Sequence, residues 1–268
     1  MRKPVHAKKS LGQHFLKDPE IAKRIADEFM AQNTTPVFLE IGPGTGMLTK
    51  YFINQQKAKF YAIEADNRMI AVLREEFPAH QHSFIYHDFL DFDLNSLNAT
   101  EIAIVGNFPY NISSQILFRT LKHKNMIPFL MGMFQKEVAQ RIAAGHGNKQ
   151  YGILSILIQV YYEVKLIFDV GPESFYPAPK VQSAVIILKR KKIFPVIADE
   201  QLFIQLVKAG FNQRRKTLRN SLGKILNSGI LKDPVFSKRA EQLSVEDWIA
   251  LANEPGNFRA EVTQLPSN

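Results

Sequence analysis

The sequence predicts an α/β protein in which a doubly wound, mostly parallel sheet is followed by a small all-helical domain. Three features carry this. Short apolar runs alternate with helical patterns between residues 37 and 134, as a parallel sheet with crossover helices requires. A glycine-rich turn, Gly42-Pro43-Gly44-Thr45-Gly46, joins the first of those runs to the next helix. Beyond Lys189-Arg190-Lys191-Lys192 the strand-like runs stop and only helical patterns follow. The boundary falls there, giving domains 1–192 and 193–268.

The elements follow in order. Asp18-Pro19 caps and opens a helix whose Ile21, Ile25 and Phe29 share one face. Strands are expected at 37–41, 59–63, 84–86, 102–105 and 127–134. Helices are expected at 45–55, 67–76, 113–122 (with Ser113 as N-cap) and 136–144. Residues 145–150 form a polar loop and 151–162 a helix. Two strand-like runs, 164–170 and 181–188, are joined by residues 171–180 and could pair as an antiparallel hairpin at the sheet edge. The second domain shows helical patterns at 199–210, 215–227, about 234–242 and 244–253. Leu202, Leu206 and Ala209 form one apolar face there, and Trp248, Leu251 and Ala252 another. The last dozen residues are polar and expected to fray.

The chain has 268 residues, 46% of them apolar, enough for a real core. It has no cysteine, which excludes a disulfide framework and any thiolate metal site and fits a reducing, cytoplasmic compartment. A formal charge of +9 points to a polyanionic partner. No run of 18 apolar residues would span a bilayer. Residues 1–17 carry five Lys/Arg and no acid, which reads as a basic arm. His6, His80, His82, His123 and His146 lack metal-ligand spacing, and no metal site is expected.

One candidate site residue follows each of four successive strands. The glycines Gly42 and Gly44 let the backbone turn tightly and approach a ligand closely. A nicotinamide dinucleotide needs G-x-G-x-x-G, but here the third glycine comes one residue early and Met47 stands in the expected place. The E-x-G-x-G-x-G form suits S-adenosylmethionine, which has no pyrophosphate. Glu64 ends the next strand about 20 residues on, where an acid accepts from both ribose hydroxyls. Asp66 fits better as the cap of the helix behind it. Asp88 could accept from the cofactor's adenine amine, with Phe89 beside the ring.

Asn107-Phe108-Pro109-Tyr110 follows the fourth strand, at the carboxyl end where open α/β sheets place ligands. An amide can pair with an exocyclic amine, a tyrosine can stack on a flat base, and a proline stiffens the turn that aims both. This fits chemistry on a nucleobase amine taken out of its stack. Asn107 and the Phe108 carbonyl would accept the two N–H groups, and Tyr110 would hold the base by stacking, worth ~1–3 kcal/mol. The competing structural reading is a plain surface turn.

These motifs in this order resemble the small-subunit (16S) ribosomal RNA adenine N6,N6-dimethyltransferases of the KsgA type. The likeness runs from about Lys9 to Leu251. It includes Ser10-Leu11-Gly12-Gln13-His14-Phe15-Leu16, Phe134-Gln135-Lys136-Glu137-Val138-Ala139, Phe175-Tyr176-Pro177-Ala178-Pro179-Lys180-Val181-Gln182-Ser183 and Phe211-Asn212-Gln213-Arg214-Arg215-Lys216-Thr217-Leu218-Arg219. The resemblance implies a Rossmann-like S-adenosylmethionine-dependent methyltransferase domain with a small all-helical C-terminal domain. It implies that His14, Leu16, Gly42, Glu64, Asp88 and Asn107 contact the cofactor, and that Asn107, Pro109, Tyr110 and Phe175 frame the target adenine. Read from its own residues, the Phe175 loop could instead be a Pro-rich hairpin connection with Phe175 in the core. Two adjacent adenines near the 3′ end of the RNA would be dimethylated. Family members commonly carry Leu where Phe108 stands.

Residues 189–232 hold 11 Lys/Arg against two Asp/Glu, a bias that favours phosphate contacts, with Arg214, Arg215, Lys216 and Arg219 foremost. The expected partner is an immature small ribosomal subunit, bound by a monomer. Two other readings stay open: a methyltransferase acting on large-subunit rRNA or DNA adenine, and an rRNA-binding assembly factor whose methylation is secondary.

Overall fold

A computed structural model describes residues 7–8 and 11–259. The remainder of the basic arm (1–6, 9 and 10) and most of the polar C-terminal tail lie outside the described residues. The described chain divides into two compact units, residues 1–139 with 163–190, and residues 140–162 with 191–268. The segment 140–162, assigned from sequence to the first domain, clusters with the second unit.

In the first unit, β1 (Phe15–Leu16) precedes helix α1 (Pro19–Gln32). Asp18 caps α1, its carboxylate accepting from the Glu20 and Ile21 N–H groups. Then come β2 (Val37–Ile41), α2 (Thr49–Phe52), β3 (Lys59–Glu64), α3 (Asn67–Glu76), β4 (Phe84–Tyr86), β5 (Ile102–Asn107), α4 (Ser113–Lys122) and β6 (Phe129–Gln135). Helix α5 (Lys136–Ala143) runs across the boundary at residue 139, α6 (Ile153–Tyr161) belongs to the second unit, and the chain returns to the first with β7 (Tyr162–Val170), β8 (Phe175–Tyr176) and β9 (Ser183–Arg190). The main sheet has the order β4-β3-β2-β5-β6-β9-β7, with β4 to β6 parallel and β9 antiparallel to β6. β7 is the edge strand beside β9.

β2 is buried along its whole length, because helices cover both faces of a parallel sheet. That is why these strands read as continuous apolar runs rather than as alternation. One side of the sheet packs an aromatic cluster in which Phe38 lies 5.3 Å from Phe29, 5.4 Å from Phe52 and 5.2 Å from Phe60, centroid to centroid. The strand order reverses at β2, whose neighbours are β3 and β5, and this is where a doubly wound sheet opens a crevice for ligand.

Several elements differ from expectation for identifiable reasons. Helix 45–55 shrinks to α2 because Gly46 sits at φ +85°, which no right-handed helix accommodates. Ser113 is the first helical residue of α4 rather than its cap, and its hydroxyl donates instead to the Tyr110 carbonyl. Phe175–Tyr176 leaves the 171–180 connection to pair antiparallel with β1.

In the second unit, α7 (Glu200–Asn212) is capped by Asp199 and α9 (Val245–Asn253) by Ser244. The buried face of α7 is Phe203, Leu206, Val207, Gly210 and Phe211; Leu202 and Ala209 lie at its margin. Trp248 is fully buried against Gly210, where a Cβ would lie 2.4 Å from the indole. The expected helix at 215–227 is only α8 (Leu218–Ser221), and 234–242 breaks into two single 3₁₀ turns. In the first segment Leu218, Leu222 and Leu226 are buried at helical spacing, yet the α-helix ends at Ser221, two residues before Gly223, a residue that weakens a helix interior by about 1 kcal/mol. Among the described residues no helix is long and apolar enough to cross a membrane.

Candidate active site: a glycine-cradled cleft beside the Asn107 loop

One cleft at the carboxyl ends of the parallel strands is lined by Leu11 to Leu16, Glu40, the glycine turn, Glu64, Asp88 and residues 107–112. It gathers the residues expected after all four strands. Gly42, Gly44 and Gly46 all have φ between +55° and +85°, a region that costs other residues strain. A Cβ on Gly44 would also press on the Phe15 ring at 3.0 Å. The bare turn therefore lets Phe15 and a ligand approach together.

Glu64 is buried, and its two carboxylate oxygens accept from the Gly44 N–H (3.1 Å) and the Asp66 N–H (2.9 Å). Burial raises its pKa, and those N–H bonds offset only part of the shift. Such an acid has unused acceptor capacity, which a ribose diol fits. Asp66 does cap α3, and it also accepts from Lys8 and Gln13. The bonds from Arg68 hold its carboxyl well below the usual range. Asp88 lines the cleft with one oxygen committed to the Leu90 N–H at 2.9 Å. Its second oxygen has no partner among the described residues.

Glu40, which sequence reasoning left without a role, is also in the lining and only 1% exposed. Burial pushes its pKa up to about 8, a bond from the Thr49 hydroxyl (2.8 Å) opposes this, and the nearby Glu64 adds to it. The signal was present: an acid inside the apolar run Val37-Phe38-Leu39-Glu40-Ile41 has no reason to be there as core.

The Asn107 side-chain N–H₂ donates to the His14 carbonyl at 2.9 Å. That bond fixes the amide so that its oxygen remains as the acceptor. Tyr110 bonds to the buried Ser183 hydroxyl at 2.6 Å, and its ring stacks with His14 at 5.3 Å and 29°. Burial raises the phenol's pKa, so it stays neutral. His14 Nδ1 in turn lies 2.7 Å from the Pro177 carbonyl. Phe108 turns inward, 1% exposed, onto Phe134. Only its backbone is left to face a ligand.

Two expected residues do not reach the cleft. Phe175 is 2% exposed and belongs to the hydrophobic core. Strand alternation places its neighbour Tyr176, 58% exposed, on the other face of the strand, the one shared with its cross-strand partner Phe15. Phe89 is likewise buried, with the Arg119 guanidinium 5.3 Å above its ring. Leu16 lines the cleft from β1. In the second unit Arg214, Arg215, Lys216 and Arg219 are all exposed; Arg214 also donates to the Lys149 and Tyr151 carbonyls and Arg219 to the Leu231 carbonyl. Among the described residues no cluster of His, Asp and Glu could hold a metal ion.

The glycine cradle with the Glu64 and Asp88 carboxylates in one cleft fits S-adenosylmethionine, and sheet and cleft together define a Rossmann-like methyltransferase that uses it as methyl donor. Solved structures agree on the fold. A dimethyladenosine transferase from Plasmodium falciparum superposes with a TM-score of 0.73 at 23% identity, over 92% of this chain and 100% of that one. The 23S rRNA methyltransferase ErmE gives 0.65 at 23% identity, over 90% and 100%. The profile of the ribosomal RNA adenine dimethylases matches residues 5–255, and the chain belongs to that family. Among its relatives, ribosomal RNA small subunit methyltransferase A of Phocaeicola vulgatus is 50% identical, covering 93% of this chain and 90% of its own. That of Cytophaga hutchinsonii is 47% identical, covering 93% and 97%.

Proposed function

We propose that this enzyme dimethylates the N6 amines of two adjacent adenines near the 3′ end of 16S rRNA, on immature small ribosomal subunits. The observation that carries the reading is the Asn107 amide, held by the His14 carbonyl with its oxygen left to accept an N–H. An adenine amine is a weak nucleophile because its lone pair is delocalised into the ring. Acceptors on both N–H groups, Asn107 Oδ1 and the Phe108 carbonyl, favour the tetrahedral nitrogen that attack requires. Bound S-adenosylmethionine supplies an electrophilic methyl group on a sulfonium. The alkylated nitrogen is strongly acidic and releases its proton to water, so no side chain need act as base. After one transfer the amine keeps one N–H, and one acceptor suffices for the second.

The everted base would stack on Tyr110, whose phenol is anchored on Ser183 and whose ring has one face against His14. Exposed Arg215 and Lys216 support a role for the helical unit in phosphate contact, with Arg214 and Arg219 bracing the loops beside them. The enzyme would act in the cytoplasm as a monomer. Identity of about half the residues with proteins named for the small subunit favours that particle over large-subunit RNA or DNA. Incubation of separated immature small subunits, large subunits and DNA with labelled cofactor tests this. Label confined to dimethyladenosine in small-subunit RNA is expected, and label in either other substrate alone overturns the reading.

A further inference from the structure

Arg119 projects from the last turns of α4, the helix that begins three residues after Tyr110. Its two terminal nitrogens donate to the Leu90 and Phe92 carbonyls, and its guanidinium lies over the Phe89 ring. The loop it grips is the one that carries Asp88. The link to the cleft is direct. The Leu90 carbonyl is held by Arg119, and the Leu90 N–H holds Asp88 Oδ1 at 2.9 Å. One residue thus passes the clamp to the carboxylate, which lines the cleft with its second oxygen unpartnered among the described residues. The positive charge also sits among Asp88, Asp91 and Asp93, the three acids of that loop.

We infer that Arg119 is a positioning residue for cofactor recognition: its fork on the Leu90 and Phe92 carbonyls sets the Asp88 carboxylate to accept the adenine amine of S-adenosylmethionine. The inference rests on the reading of Asp88 as that acceptor. A planar fork can bridge two carbonyls at fixed separation, which a lysine ammonium, a flexible point charge, does not reproduce. Arg119 therefore acts on discrimination between purines as well as on loop stability.

The test compares the affinities of S-adenosylhomocysteine and its 6-oxo counterpart, in which hypoxanthine replaces adenine, by calorimetry on the whole protein. The wild type should prefer the amine by about 10–100-fold, the worth of a hydrogen bond to a charged acceptor. Asp88→Ala should lose that preference. Arg119→Lys and Arg119→Gln should each lower it toward the Asp88→Ala value, and neither should lower it further in an Asp88→Ala background. Arg119 variants that melt earlier yet keep the wild-type preference would show a brace only and overturn the inference. If Asp88→Ala itself keeps the preference, the reading of Asp88 fails and the inference falls with it.

Discussion

Gly132→Ala should damage the active loop from beneath, without touching a ligand. Gly132 lies in β6, paired with Gly106 of β5, and the Phe108 ring rests on both. A Cβ at position 132 would stand 2.0 Å from Phe108 Cε2, 2.6 Å from Cζ and 2.7 Å from Cδ2. Ordinary carbon contacts lie at about 3.5–4.0 Å, so the ring must retreat by roughly 1.5 Å. It has little room: Phe108 is 1% exposed, Phe134 stands 5.0 Å away, and a Cβ on Gly106 would already be 3.0 Å from the ring. Overpacking of this kind costs about 1–3 kcal/mol. In a chain of this size that lowers the melting temperature by about 2–4 °C per kcal/mol. The larger effect should be on catalysis. Phe108 stands between Asn107 and Pro109, and a misplacement of ~1 Å can cost about 100-fold in rate. Methyl transfer on small subunits should fall by about that factor while cofactor affinity, measured by calorimetry, falls much less. Adding Phe108→Leu to Gly132→Ala removes the colliding ring atoms and should restore most of the loss. A Gly132→Ala enzyme that melts and turns over like the wild type, or a double variant that recovers nothing, would refute the reasoning.

Other outcomes follow from the buried acids and the basic loop. Glu64 must ionise to accept two ribose hydroxyls, and burial raises its pKa. Cofactor affinity should therefore rise as pH increases through that pKa, with proton release visible as a buffer-dependent binding enthalpy. Glu64→Gln should bind about tenfold more weakly, and its affinity should vary less with pH. Glu40 has its pKa raised from 4.5 to about 8, so the folded protein holds a proton that the unfolded chain gives up between those values. Its contribution to stability is greatest below pH 4.5 and is lost as pH rises to 8, with a slope of at most about 1.4 kcal/mol per pH unit. Denaturant titrations of wild type and Glu40→Gln should diverge over that window, and parallel curves would contradict the buried neutral acid. The paired substitution Arg215→Ala with Lys216→Ala should weaken RNA binding uniformly across sequences. It should also lower the slope of log affinity against log salt by about 1.5; an unchanged slope removes these residues from the phosphate surface.

Much of the fold could be read from the chain because local and global preferences agree. α3 and α4 begin and end where periodicity puts them, and the parallel strands reveal themselves as unbroken apolar runs. That Asp66 rather than Glu64 caps α3 was also legible, since an N-cap must precede its helix directly. What was not legible depends on register and on distant contacts. Whether Phe175 or Tyr176 faces outward is decided by pairing with Phe15 and Leu16, about 160 residues away in sequence. The burial of Phe89 depends on an arginine 30 positions on. The clustering of 140–162 with the C-terminal helices leaves no compositional mark, because α6 is as apolar as a core strand.

The account turns on Asn107 acting as an oriented acceptor, and its replacement by alanine probes that most directly. Small-subunit RNA from immature particles would be digested and weighed after incubation with wild-type or Asn107→Ala enzyme, with cofactor and RNA binding measured alongside. The wild type should leave two adjacent dimethyladenosines. The variant should leave neither, while still binding RNA and retaining measurable affinity for S-adenosylmethionine. Dimethylation at the wild-type rate by the alanine enzyme would contradict the account.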